Sequence, residues 1–127
     1  MKPIQCLAKV KFVWLALLAS YCGFIFFLSH QSTLQAPMLF AHQDKLFHAM
    51  AYAVLGFLAM TYFSCVFDNS RQAFVIAMIF SVLYGASDEW HQSFVVGRDA
   101  DILDWLADCV GATVAINVTA SFRLKAR

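Results

Sequence analysis

Four long apolar runs, at residues 12–28, 46–67, 72–87 and 102–122, occupy more than half of this 127-residue chain. No other feature constrains its fold as strongly. A run that enters hydrocarbon leaves its N–H and C=O groups without water, so it must satisfy them as a helix or in a closed barrel. A barrel needs alternating segments of about ten residues, and no such alternation occurs. The composition fits a bilayer better than water. Hydrophobic residues make up 61% and charged residues 13%, where soluble domains have roughly 45–50% and 25%. Nine Lys/Arg and eight Asp/Glu give a small domain too little polar surface to cover itself. The expected class is an all-α membrane protein, an antiparallel four-transmembrane-helix bundle forming one domain over residues 1–127.

The runs differ in what interrupts them. The first follows Lys2, Lys9 and Lys11, as a secretory signal would, but 17 uncharged residues without a small-x-small cleavage site favour an uncleaved anchor. The second has 22 residues broken only by His48, and would span roughly 33 Å as a helix. The third has 16 residues between Arg71 and Asp88, about 24 Å, so either it is a short span or its acidic end lies below the membrane surface. The fourth contains Asp104 and Asp108, which must turn towards protein or water.

Along this zigzag, seven of the nine basic residues fall on one side: Lys2, Lys9, Lys11, Arg71, Arg123, Lys125 and Arg127. The positive-inside rule places that side, and both termini, in the cytoplasm of a plasma (inner) membrane. With a net charge of +1 and no basic tract, no nucleic-acid partner is expected. Cys6, Cys22, Cys65 and Cys109 show no metal or redox spacing and read as small apolar residues.

The remaining ionisable residues gather in segments 44–48 and 88–108, which leave the membrane together on the outer side. Asp44, His48 and Tyr52 are spaced i, i+4, i+8 along one face of the second helix. Asp101, Asp104 and Asp108 share a face of the fourth, continued by Gly111 and Ala115, small residues that let another helix approach. If the third helix runs past its apolar stretch, it brings Asp88 and His91, with Glu89 and Gln92 beside them, to the same end. The cluster can be read as a structural network in which Lys45 and Arg98 neutralise Asp88, Asp104 or Asp108. Buried ions are poor stabilisers, however, and intramembrane ionisable residues are functional by default, which favours a site. Asp99 and Asp101 read as solvated loop acids, and Trp14, Trp90 and Trp105 as interface anchors or packing.

Asp44-Lys45-x-x-His48-x-x-x-Tyr52-x-x-Leu55-Gly56, then Ser87-Asp88-Glu89-Trp90-His91-Gln92 with Phe94, then Gly97-Arg98 and Asp104-x-x-x-Asp108-x-x-Gly111 resemble, in order, the signature of the VanZ-like membrane proteins. Ser29-His30-Gln31-Ser32 resembles the serine-containing stretch after that family's first helix. The resemblance covers about residues 25–120. Val96 departs from it where proline often precedes the Gly-Arg pair. Asp108 stands where many members carry asparagine, and is left outside the expected site. The resemblance implies a four-helix multi-pass architecture and a polar site of Asp44, Lys45, His48, Tyr52, Asp88, Glu89, Gln92, Arg98 and Asp104. It names no substrate or cofactor; the family takes its name from an accessory membrane protein linked to resistance to the glycopeptide teicoplanin.

The expected chemistry is that of a site for a membrane lipid, an anionic cell-envelope lipid or lipid-linked precursor, with an effect on glycopeptide susceptibility. Arg98 and Lys45 would hold a phosphate, the first by its planar fork and the second as a point charge. Asp104 is the expected acid partner of Arg98. His48 oriented by Asp44, or Glu89 with its charge disfavoured in a partly apolar site, would act as general base. Tyr52, Asp88, Gln92 and Asp104 would complete the binding surface. Asp88, Glu89, His48 and Asp104 also carry side chains that divalent cations accept, but no local spacing marks a metal site and none is assigned. The alternative is a non-catalytic accessory protein whose cluster serves folding or a partner helix. A proton or ion relay ranks third, because the chain is small and has no inverted repeat.

Overall fold

The computed structural model describes residues 8–32 and 37–125; Lys2, Cys6 and Arg127 lie outside the described residues. Among these the chain forms four helices and no strand: α1 (Ala8–Ser29), α2 (Gln43–Val66), α3 (Ser70–Gln92) and α4 (Ile102–Lys125). Each is long and apolar enough to cross a membrane. The helices start before or end beyond their apolar runs, because backbone hydrogen bonding continues into polar sequence that hydropathy does not register. α3 gains most. It holds 23 residues, about 34 Å of helix, so Asp88, Glu89 and Gln92 belong to its last turns and not to a loop.

Local signals set the ends. The side chain of Asn69 accepts from the N–H groups of Arg71 and Gln72 at 2.9 and 3.2 Å and caps α3. Asp101 caps α4, accepting from Leu103 N–H at 2.8 Å. Before α2, the buried Gln43 accepts from Leu39 N–H at 2.8 Å and donates to the Pro37 carbonyl at 3.1 Å. That ties the incoming chain to the first turn.

Packing follows from residue size. α2 and α4 share the most extensive contact, made through backbone that side chains leave bare. A Cβ on Gly56 would lie 2.7 Å from the Ala112 carbonyl oxygen, and one on Gly111 would overlap the Ala49 carbonyl. Ala59, Ala73, Ala77 and Ala112 are buried around Leu55 and Ile116, while Phe12, Phe24, Phe27, Leu83, Val110 and Phe122 face outward. Small residues inside and large apolar ones outside are what helices packed in lipid require. Tyr21 donates to the Ala51 carbonyl at 2.8 Å and Tyr84 to the Cys22 carbonyl at 2.5 Å, which seats α1 on α2 and α3. Trp105 donates to the Val82 carbonyl at 3.1 Å, a packing role, whereas Trp90 is exposed. Cys22 and Cys109 are free thiols.

Candidate functional site

The close approach of α2 and α4 delivers His48 to the acids of α4. Its Nδ1 lies 2.9 Å from Asp108 Oδ1, and against a carboxylate that nitrogen is the donor. Its Nε2 then faces Asp104 Oδ2 at 3.6 Å, beyond hydrogen-bond length. Asp108 is only 1% exposed, and its Oδ2 has no hydrogen-bond partner among the described residues. Lys45, three residues before His48, meets Asp44, Asp101 and Asp104 at 2.8, 2.8 and 2.5 Å. The backbone N–H of Asp101 donates to Glu89 Oε2 at 3.0 Å. Together these contacts clamp the start of α4 between α2 and the end of α3.

A second set of bonds reaches the other helices. Tyr52 donates to Asp88 Oδ2 at 3.2 Å, and Ser29, the last residue of α1, donates to Asp88 Oδ1. Gln92 donates to Ser29 Oγ at 3.4 Å, and its carbonyl oxygen accepts from Arg98 Nη2 at 2.9 Å. Gly97 has φ +83°, a left-handed turn open to glycine, and it directs Arg98 back towards α3. Beside these networks lies a cavity of about 340 Å³. Ser29, His48, Tyr52, Asp88, Gln92, Arg98 and Asp104 supply polar lining, and Ile25, Leu28, Phe47 and Ala51 an apolar wall.

Of the nine residues singled out from the sequence, Asp44, His48, Tyr52, Asp88, Gln92, Arg98 and Asp104 line this cavity. Lys45 and Glu89 are not in the lining. Lys45 pairs with Asp104, and Glu89 offers an oxygen within 4.8 Å of His48 and Asp104. Oxygens of Asp88, Glu89 and Asp108 form a second trio within the same distance.

Two expected pairings are replaced. Asp44 does not orient His48; it is half-exposed and bonds Lys45, while Asp108 takes the imidazole because the bare backbone at Gly111 brings α4 close. Arg98 does not pair with Asp104, which Lys45 occupies. It bonds Gln92 instead and forms no ion pair among the described residues. Asp101 remains 38% exposed, as expected of a loop acid, but it also caps α4 and binds Lys45. The Lys45 ammonium, and then the Leu103 N–H, hold its carboxyl below the ordinary carboxylate range. Ser29 and Asp108 join the site without having been assigned to it. Asp108 carried a signal, its i+4 spacing from Asp104 on the packing face, whereas Ser29 was marked only by its place in the 29–32 stretch.

Four membrane-length helices, with a carboxylate-lined cavity at one end, define a multi-pass membrane protein. A sequence model of the family described as VanZ/LLP1 matches residues 11–123. The chain belongs to this VanZ-like family. No curated protein and no solved structure gives a significant match.

Proposed function

We propose that the cavity binds the anionic head group of a cell-envelope lipid or lipid-linked precursor, entering from the outer leaflet while the termini lie in the cytoplasm. Arg98 carries this reading. It shares the cavity lining with Asp88, Asp99 and Asp104, yet it bonds a neutral amide and pairs with none of them. A guanidinium positioned by Gln92 keeps most of its donors for a phosphate or carboxylate, which it can grip in bidentate fashion. The apolar wall of Ile25, Leu28 and Phe47 suits the chain attached to such a head group, since ligand sites combine apolar lining with a few placed polar groups. An effect on teicoplanin-type susceptibility would follow from altering or sequestering a surface precursor.

A scaffolding role draws support from the same network, because its bonds reach all four helices. Arg98 separates the two. Wild-type protein, Arg98→Ala and Arg98→Lys, each purified in mild detergent, are compared for co-purifying anionic lipid by mass spectrometry. Loss of a desolvated charged contact should reduce bound lipid about tenfold or more in the alanine variant. Lysine should fail nearly as badly, since it lacks the planar fork. Equal lipid in all three proteins would return the cluster to scaffolding.

A further inference from the structure

We propose that His48, Glu89 and Asp104 together hold a divalent transition-metal cation, Zn²⁺ or Mn²⁺, at the edge of the cavity. A ring nitrogen of His48 and an oxygen from each carboxylate lie within 4.8 Å of one another. Asp108 engages Nδ1 of His48, so in the neutral ring the lone pair sits at Nε2. That nitrogen is 3.6 Å from Asp104 Oδ2, and two acceptors face each other across the gap. A cation between them satisfies both. The Asp108 contact is also the arrangement by which a carboxylate fixes the tautomer and orientation of a metal-ligating imidazole.

Glu89 supplies the independent observation. It is 7% exposed, commits Oε2 to the Asp101 N–H, and has Oε1 buried with no hydrogen-bond partner among the described residues. A buried carboxylate oxygen left in that condition is destabilising, and metal coordination removes the penalty. The charge balance points the same way. Asp88, Glu89, Asp104 and Asp108 are each at most 8% exposed, and among the described residues Lys45 is the only lysine or arginine paired with any of them, through Asp104. Buried charges need compensation, and Lys45 is already shared with Asp44 and Asp101.

One imidazole and two carboxylates form a mixed nitrogen and oxygen set suited to Zn²⁺ or Mn²⁺. Three protein ligands leave coordination positions open, and both His48 and Asp104 line the cavity. Sequence spacing could not reveal the trio, because its members come from three different helices. The inference goes beyond the lipid reading, since the ion is expected to bind the protein alone.

Chelator-stripped protein in detergent is titrated separately with Zn²⁺ and Mn²⁺. Stoichiometry is read by native mass spectrometry and stability by the melting temperature. The expected result is one ion per chain and a raised melting temperature. Glu89→Gln and His48→Gln should each weaken metal binding at least about tenfold, as loss of a ligand does. Circular dichroism checks their helix content, and Asp104→Asn gives the same readout should either variant not fold. Without metal, Glu89→Gln should be no less stable than the wild type, because it removes an uncompensated charge. No uptake by the wild type at millimolar ion, or variants that bind as the wild type does, would overturn the proposal. Because the probe is the metal alone, such a failure leaves lipid binding at Arg98 standing.

Discussion

Gly111→Ala is the substitution at which helix packing and site geometry are most tightly joined. A Cβ there would overlap the Ala49 carbonyl and lie 2.7 Å from its carbon and 2.9 Å from its Cα. Ordinary carbon contacts run to about 3.5–4.0 Å, so α2 and α4 must part locally by about 1 Å. His48 adjoins Ala49, and Asp108 is one turn from Gly111. The same opening therefore stretches the His48–Asp108 bond from 2.9 Å to about 3.9 Å, where it is no longer a hydrogen bond. Overpacking of this kind costs about 1–3 kcal/mol. Losing a buried bond to a carboxylate costs about 1.5–3 kcal/mol. The combined effect is about 2.5–6 kcal/mol, at the upper end for a single substitution.

Two other glycines serve as controls. A Cβ on Gly23 would meet nothing within 4 Å among the described residues, so Gly23→Ala should be neutral or stabilising by up to about 1 kcal/mol. Gly56→Ala presses on the Ala112 carbonyl oxygen at 2.7 Å and should destabilise too. It lies about 12 Å along α2 from His48, however, and should disturb bound lipid and metal less. Unfolding in detergent–SDS mixed micelles, followed by far-ultraviolet circular dichroism, measures the stabilities. If Gly111→Ala proves as stable as Gly23→Ala, α2 and α4 do not pack through bare backbone and the reasoning fails.

Tyr52 is 1% exposed and donates to Asp88 at 3.2 Å, so Tyr52→Phe should destabilise by about 1–2 kcal/mol in the same assay; an unchanged midpoint would show that the bond contributes nothing. The Asp101 carboxyl is held below its ordinary value by Lys45. Its stabilisation is therefore full above the unfolded pKa near about 3.9 and is lost as pH falls through the lower folded value. Asp101→Asn should lower the melting temperature by a constant amount above pH about 5, and its difference from the wild type should shrink as pH falls below about 4. For orientation, a cysteine placed at Ala100 in a chain otherwise lacking cysteine should react with an impermeant thiol reagent on intact cells, and one placed at Lys125 should not. The opposite pattern would move the cavity to the cytoplasmic side.

Hydropathy alone was enough for the number and order of the helices, because entry into lipid is decided segment by segment from local composition. Helical periodicity was enough to put His48 and Tyr52 on one face of α2, and Asp104 with Asp108 on one face of α4, since a 3.6-residue repeat fixes direction within a helix. The length of α3 was not legible. Its last turns are polar, and only the surrounding helices make Asp88, Glu89 and Gln92 interior positions. Tertiary structure also decided every partner: Asp108 rather than Asp44 for His48, Gln92 rather than Asp104 for Arg98, and Lys45 for Asp104. It alone set the distances within the group, bringing Glu89 of α3, His48 of α2 and Asp104 of α4 within 4.8 Å of one another. Which acid meets which base depends on the separation and rotation of neighbouring helices, and here those are set by contacts between bare backbones at Gly56 and Gly111, at distances that no one-dimensional repeat contains.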